Sequence, residues 1–306
     1  MRIRQNPCIS RVLKVIEKLW RIHGSIVGRC CHTYLMSPVT PLSRIVSLQP
    51  SVTVTLRELG KLDLLVACTR YCAEICPEVK ARNLTIVADS WTAQADQIRA
   101  VHPDLVIASV PYQEKSLVEI LKCGVPFLAL APKKLADIYA DIAIIARLVG
   151  AEEEGTRVIR CMQERIETFR EKTQGLERPR VFCEEWGKPL ITSQPWVAEL
   201  VKAAGGNFIG SPGAQIDFAA VAAAHPQVLI AAWCGAGDRV PLEKIVQSRG
   251  WQSLLAVQTS RVYCIRDEYL NTPAPTLVHG LYALAAAIHP EHFPQPEGLR
   301  CMGKIE

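Results

Sequence analysis

The chain has 306 residues, of which 49% are hydrophobic and 21% charged, so it is too long for one small core and too apolar to remain disordered. Seven basic residues and one acidic residue lie within the first 35 positions, whereas the other 28 basic and 29 acidic residues leave the body of the chain near neutrality. A near-neutral body argues against nucleic-acid binding, and the absence of any run of 18 uncharged apolar residues excludes a membrane-spanning helix.

The basic N-terminal segment, residues 1–42, does not match an export signal. Such a signal places about 7 to 15 uninterrupted apolar residues after a positively charged start. Here charged side chains, among them Lys14, Glu17 and Arg29, interrupt the apolar runs. We interpret this segment as an extension that precedes the folded chain, with Met36 as an alternative start.

Short apolar runs alternate with helix-like segments in the next part of the chain. Buried strands are predicted at 44–48, 62–67, 84–88, 104–109 and 125–130, and helices at 51–60, 94–102 and 114–124. Strands that alternate with helices indicate a parallel sheet with helical crossovers. We therefore predict a first α/β lobe at 43–133.

Residues 134–175 contain no strand-like run and form one long helical stretch, interrupted only near Gly150, that could span a domain. The alternation then resumes over 176–289, before a tail at 290–306. Strands are predicted there at 180–185, 227–233 and 261–265, and helices at 196–206, 218–225, 242–251 and 274–289. The predicted fold is α/β, with two Rossmann-like lobes of parallel strands joined by a single long backbone helix.

The two lobes also resemble each other in sequence. In each, a helix ends at a histidine that precedes a proline, His102 in the first lobe and His225 in the second. Proline disfavours helical geometry in the residue before it, so each histidine ends its helix at a set point. Each lobe also opens with an arginine and a strand, at Arg44 and Arg180. Two similar lobes joined by a rigid helix predict a ligand cleft between them.

The twelve cysteines are spread through apolar segments of a long chain, which favours reduced, buried thiols over a disulfide framework. Cys68, Cys72 and Cys76 are spaced four residues apart, without the C-x₂-C pairs or nearby histidines of metal sites. We predict a cysteine-rich loop at these positions that holds no metal.

Catalytic signatures such as a GxSxG elbow, a phosphate-binding loop or HExxH are absent from the sequence. The side chains that stand out are aromatic and follow predicted strands: Trp91, Tyr112, Trp186, Trp196, Trp233 and Tyr269. Rings at the carboxyl ends of parallel strands offer contact area to a bulky ligand in the crevice. We expect at least three of them to line the cleft of a protein that binds without catalysis and needs no cofactor of its own.

Three stretches, IVSLQPSVTVTLRELG (45–60), the helix-HPDLVIAS unit (94–109) and RVYCIRDEYLNTPAPTLVHGLYALA (261–285), resemble periplasmic-binding proteins of the cobalamin and iron-siderophore class. In that class, two α/β lobes joined by a long helix deliver a ligand to an ABC importer. EEWGKPLITSQPWVAELVKAAGG (184–206) is most similar to the cobalamin-binding branch. The resemblance implies capture of cobalamin or a related corrinoid. The ligand contacts expected are Pro50, Ser51, Trp91, Tyr112, Glu185, Trp186, Trp196, Trp233 and Tyr269.

The resemblance also implies a partner. Proteins of this class dock the importer permease through one surface acid on each lobe, and the matching positions here are Glu114 and Glu243. We expect a monomer without a membrane span. The class is periplasmic, but no export signal is recognisable in this chain, so a cytoplasmic location stays open.

Two alternatives share this scaffold. A ferric siderophore or haem would suit the same fold, but such ligands are often anionic and the cleft loops offer mainly Arg70 and Arg266 as cations. The other alternative is a cytosolic corrinoid-handling protein or enzyme. The missing export signal favours it, and the missing catalytic residues disfavour it.

Overall fold

The computed structural model describes residues 42–111 and 113–303, and its first lobe is built on a five-stranded parallel sheet. In the spatial order β3-β2-β1-β4-β5, the strands are β1 (Ile45–Ser47), β2 (Leu65–Cys68), β3 (Thr85–Ile86), β4 (Leu105–Ser109) and β5 (Phe127–Leu130). Successive residues of β1 enter separate apolar clusters, Ile45 on one face of the sheet and Val46 on the other. Because both faces are covered, the central strands are continuous apolar runs in the sequence.

The helices of this lobe confirm the predicted crossovers. They are α1 (Pro50–Glu58), α2 (Arg70–Ile75), α3 (Pro77–Ala81), α4 (Ala95–Arg99) and α5 (Glu114–Leu121), with a 3₁₀ turn at Leu62–Leu64. Pro50 begins α1, a position that suits proline because its missing N–H would have no partner within the helix.

The cysteine segment corrects the prediction of a loop. Cys68 ends β2, Cys72 lies inside α2, and Cys76 separates α2 from α3. All three are buried free thiols. Thr69 begins α2 by accepting a hydrogen bond from the backbone N–H of Cys72 at 3.2 Å, which is a local helix-start signal that the cysteine spacing had obscured. Among the described residues, no group of three His, Cys, Asp or Glu side chains could hold a metal ion.

The segment at 134–175 is helical and breaks near Gly150, as predicted, but it forms two helices where a single linking helix was expected: α6 (Leu135–Leu148) and α7 (Glu152–Lys172). The break falls at Gly150, whose φ of +62° is a left-handed conformation that suits glycine. The first half of α6 packs in the core of the second lobe, through Leu135 and Ile138, and its end packs in the core of the first, through Ile145 and Ala146. The two lobes are therefore joined by a packed pair of helices.

The second lobe contains a six-stranded sheet that is mixed where parallel strands alone were expected. Its strands are β6 (Arg180–Gly187), β7 (Leu190–Thr192), β8 (Asn207–Phe208), β9 (Val228–Ala231), β10 (Val262–Ile265) and β11 (Leu299–Cys301). The order is β11-β10-β9-β6-β7, with β8 beside the start of β6. Both β7 and β11 are antiparallel to their neighbours, and β11 comes from the segment predicted as a tail.

The helices of the second lobe are α8 (Pro195–Ala203), α9 (Phe218–Ala223), α10 (Leu242–Ser248), α11 (Leu255–Gln258), α12 (Asp267–Leu270) and α13 (Leu277–Ile288). The helix α13 is buried almost all round, which explains its apolar sequence. Within the described residues, we find no helix that is both long and apolar enough to cross a bilayer.

The internal resemblance of the lobes is confirmed at their His-Pro stops. His102 and His225 adopt left-handed φ angles of 44° and 48°. The Nε atom of Arg44 donates to the carbonyl of His102 at 2.8 Å, and the Nε atom of Arg180 donates to that of His225 at 2.9 Å. The arginine that opens each lobe thus holds the end of the helix before the central strand, which gives both histidines a structural role.

Candidate ligand site

The first-lobe face is defined here by the residues that follow β1, β2, β3 and β4, namely Gln49, Pro50, Arg70, Tyr71, Ser90, Trp91 and Pro111. The Ser90 hydroxyl donates to the carbonyl of Pro111 at 3.0 Å and accepts a short hydrogen bond from the amide of Gln49. These bonds join the loops after three strands. Parallel sheets bind ligands at such carboxyl ends, so this face is one wall of the candidate site.

Trp91 is presented by a loop whose backbone is fixed. Its N–H donates to Asp89 Oδ1 at 3.0 Å, and its carbonyl accepts from the Ser116 hydroxyl at 2.5 Å. The residue as a whole is 46% exposed. A rigid backbone beneath an exposed ring limits the ordering that ligand binding would require.

Two first-lobe residues at the end of β2 complete this face. The exposed Arg70 donates from Nη2 to the hydroxyl of Tyr71 at 2.6 Å, and its guanidinium lies 4.6 Å from the centre of that ring. Tyr71 was not among the predicted contacts, because the cysteine spacing at 68–76 had indicated a loop. The strand-to-helix turn after 62–67 was the signal that could have found it.

The second-lobe face is defined here by Glu185 and Trp186, which lie near the end of β6, and by Cys234, Asp267 and Asn271, which follow β9 and β10. The pairing of β6 with β7 shifts between Glu184 and Trp186, so Glu185 is an extra residue in a β-bulge. Bulges re-aim side chains beside functional sites. Trp186 is 44% exposed, and its indole N–H donates to the carbonyl of Lys188 at 2.9 Å.

Polar groups of this face are connected to one another. Glu185 accepts from the amide of Gln194 at 2.7 Å and from the thiol of Cys234 at 3.7 Å. Burial raises the pKa of the Glu185 carboxyl, although the hydrogen bond from Gln194 opposes that shift. Asp267 accepts from the backbone N–H groups of Gly235 and Gly237, both at 2.8 Å. The face therefore offers hydrogen-bond acceptors on a fixed frame.

A buried ion pair lies beneath this face. Arg249 donates to both oxygens of Glu184, at 2.5 and 3.4 Å, and the indole N–H of Trp233 donates to Glu184 Oε1 at 2.6 Å. Neither Glu184 nor Arg249 was predicted, since they are far apart in sequence and their charges are typical of surface residues. No sequence signal pairs them.

The structure distributes the predicted aromatic contacts unequally. Trp91 and Trp186 are exposed, whereas Trp233 and Tyr269 are half-buried. Trp196 is only 3% exposed and donates from its indole nitrogen to the carbonyl of Leu270 at 2.8 Å, which corrects the expectation that it faces the cleft. Its helix buries Trp196 and Leu200 on one stripe, so the helical period was a signal for burial.

The remaining predicted residues are placed as follows. Pro50 is half-buried, and Ser51 is buried in the first turn of α1. Tyr112 lies outside the described residues. Glu114 and Glu243 are exposed in the first turns of α5 and α10, and Glu243 Oε1 accepts from the backbone N–H of Gly303 at 3.2 Å.

A cavity of about 750 Å³ lies elsewhere, among α6, α7 and α8. Its lining includes Leu135, Tyr139, Arg170 and Lys202 and none of the strand-end residues described above. The candidate site is thus defined by the two strand-end faces and not by this cavity.

Two similar α/β lobes joined by helices, each with an exposed tryptophan at its strand ends, define a two-lobed solute-binding protein. The model of the periplasmic binding protein family matches residues 45–269, and the chain belongs to this family. It is therefore a substrate-binding protein of the periplasmic binding protein family.

Relatives within the family differ in their stated ligands. The vitamin B12-binding protein of Vibrio cholerae is 26% identical over 249 residues, covering 79% of this chain and 87% of the relative. The crystal structure of a periplasmic heme binding protein from Pseudomonas aeruginosa aligns with a TM-score of 0.77 at 18% identity, covering 87% of this chain and 99% of that one. The crystal structure of the periplasmic vitamin B12 binding protein of Vibrio cholerae aligns with a TM-score of 0.66 at 24% identity. The alignment covers 82% of this chain and 98% of that one. These structural likenesses establish the fold.

Proposed function

We propose that this protein captures cobalamin or a related corrinoid between the first-lobe and second-lobe faces and delivers it to an ABC importer. The observation that carries the proposal is the pair of exposed tryptophans, Trp91 and Trp186, one on each face. Large flat rings on both walls suit a large flat ligand. The relatives named as vitamin B12-binding proteins support the same ligand.

The charges on the second-lobe face support a corrinoid over an anionic ligand. Two cations beneath or beside this face are already paired: Arg249 with Glu184, and Arg266 with Glu268 at 2.7 Å. What the face offers is acceptors, chiefly Glu185. Neutral amide groups on the corrin periphery can donate to such acceptors, whereas the propionates of haem would meet like charge.

Haem is the second candidate, and a specific observation favours it. Arg70 on the first-lobe face is an exposed cation beside Tyr71, and a guanidinium is suited to bind a carboxylate. The fold similarity to a heme binding protein is compatible with this alternative. A corrinoid should therefore depend on Glu185 as a hydrogen-bond acceptor, whereas haem should depend on Arg70 as a cation.

The decisive experiment is titration of the purified protein with cyanocobalamin, haemin and a ferric siderophore, followed by calorimetry and visible absorbance. We expect saturable binding of cyanocobalamin at one site, weakened when Trp91 and Trp186 are both replaced by Ala. Glu185→Gln should improve haemin binding relative to cyanocobalamin. Saturable binding of haemin alone, lost in Arg70→Ala, would establish the second candidate instead.

A further inference from the structure

The half-buried ring of Trp233 contacts the strand that carries Trp186. Gly187 directly follows Trp186, and a Cβ atom built on Gly187 would lie 2.4 Å from Cζ2 of Trp233. The two residues therefore pack with no space for a side chain between them. Any displacement of the Trp233 ring would be transmitted to the end of β6.

The Trp233 ring is held on its other side by the buried ion pair. Its indole N–H donates to Glu184 at 2.6 Å, and Glu184 is bound by Arg249 at 2.5 Å. Side chains of both charged residues are less than 5% exposed. The Arg249 guanidinium also lies 4.8 Å from the ring centres of both Phe218 and Trp251. If this ion pair separated, each charge would be left buried without a partner, which is energetically costly. The two side chains are therefore held in this conformation.

We propose that Glu184, whose buried charge Arg249 neutralises, is a positioning residue that fixes Trp233 against Gly187 and thereby holds Trp186 in its ligand-binding orientation. The position of the bulge supports this role. Because the pairing shifts at Glu185, the short ladder between β6 and β7 is disrupted beside Trp186. The packing of Trp233 replaces the support that a regular ladder would give. The expected change in corrinoid affinity rests on the proposed function, whereas the expected change in the position of the Trp186 ring does not.

Fluorine NMR of the full chain labelled with 5-fluorotryptophan tests the proposal without ligand. Trp186→Phe and Trp233→Phe variants assign the two resonances. Two double variants differ only in the acceptor offered to the Trp233 indole: Glu184→Leu with Arg249→Met removes it, and Glu184→Gln with Arg249→Met keeps it. The control is Glu119→Leu with Lys122→Met, a partly exposed ion pair at the end of α5 with a 2.6 Å separation.

We expect the leucine double variant to shift both the Trp233 and the Trp186 resonances. The glutamine double variant should keep them near their original positions, and the control should leave them unchanged. Gly187→Ala, which displaces Trp233 from the opposite side, should also shift the Trp233 and Trp186 resonances. This variant replaces the leucine double variant as the test if the latter does not fold. Affinity for cyanocobalamin should fall about tenfold or more wherever the Trp186 resonance moves, because a displaced ring loses contact area with the ligand.

The proposal would be overturned if the leucine double variant and Gly187→Ala fold normally and both leave the Trp186 resonance and the affinity unchanged. It would also be overturned if the glutamine double variant shifted the resonances as much as the leucine one. Failure of the wild-type protein to bind cyanocobalamin would contradict the proposed function alone, because the fluorine resonances report ring position independently.

Discussion

Trp186 and Trp196 carry the same ring on neighbouring elements but have opposite surroundings. Trp186 is 44% exposed near the end of β6, whereas Trp196 is buried among the helices and strands of the second-lobe core. Burial of an aromatic ring stabilises the fold, and exposure of one at a strand end makes it available to a ligand. Substitutions at the two positions should therefore separate binding from folding.

Trp186→Ala should weaken corrinoid binding by ~2 kcal/mol or more, about thirtyfold in Kd, because alanine cannot replace the contact area of the ring. Its melting temperature should stay near that of the wild type. Trp196→Ala should instead lose ~3–5 kcal/mol of stability, as large-to-small changes in cores do. Calorimetric titration and denaturant unfolding measure the two effects. Unchanged affinity in Trp186→Ala would remove its ring from the site.

The helix α6 carries two aspartates with opposite titration behaviour. Burial, and then the charge of Asp137, raise the pKa of Asp141 to about 6. Backbone N–H groups of Lys133 and Lys134 instead hold the pKa of Asp137 below its usual range. The folded state thus binds the Asp141 proton more tightly than the unfolded state, and binds the Asp137 proton less tightly.

Asp141→Asn should therefore unfold at a higher temperature than the wild type at pH 8, because the wild type loses stability as the pH rises from about 4 to about 6. The difference should shrink as the pH falls toward 4. Asp137→Asn is the matched control with the opposite sign: its stability deficit should be present above pH 4 and disappear in acid. Thermal melts across this range measure both. A pH-independent difference for Asp141→Asn would contradict the raised pKa.

At the scale of elements, the close packing of α6 against α7 depends on a glycine. A Cβ atom on Gly155 would lie 2.5 Å from the Cβ of Ala146, and Leu59 of the first lobe is also near. The missing side chain thus allows the two helices to approach each other beside the first-lobe core.

Gly155→Ala should destabilise the protein by ~1–3 kcal/mol, the usual effect of overpacking, even though alanine is the better helix former. Exchanging the two residues, with Ala146→Gly and Gly155→Ala together, should recover part of the loss because the extra methyl group then has space. Denaturant unfolding compares the three proteins. If Gly155→Ala alone were as stable as the wild type, α6 and α7 would be able to move apart without a loss in the free energy of unfolding.

At the scale of the whole molecule, each lobe presents one of the acids proposed to meet the importer. Glu114 and Glu243 are exposed on α5 and α10, and neither belongs to the strand-end faces. Exposed charges of this kind mainly affect encounter and orientation, and salt screens them.

Replacing Glu114 and Glu243 together with Ala should abolish ligand-dependent transport through the importer while leaving corrinoid affinity unchanged. The matched control removes two other exposed acids, Glu152 and Glu153 on α7, and should transport normally. Uptake of labelled cobalamin in a reconstituted importer is the measurement. Normal uptake by the first double variant would exclude these acids as the docking pair.

Local patterns in the sequence determined most of the secondary structure and the two-lobed plan. Apolar runs predicted the central strands because a parallel strand covered on both faces can contain few polar residues. The His-Pro stops predicted the end of one helix in each lobe because proline restricts the residue before it. The exposed Trp91 and Trp186 were also found from their positions after predicted strands. All these inferences depend on residues within a few positions of one another.

Only the tertiary structure decided the features that bring distant residues together. The strand β11 is antiparallel to β10, but two helices separate the two strands in the sequence. The segment that contains β11 was therefore predicted as a tail. Glu184 and Arg249 are 65 residues apart, and each becomes buried only because the other neutralises it. Trp196 is excluded from the ligand faces by the packing of α8 on the core. Local sequence periodicity determines which elements form, but burial and charge pairing depend on which surfaces meet after the chain has folded.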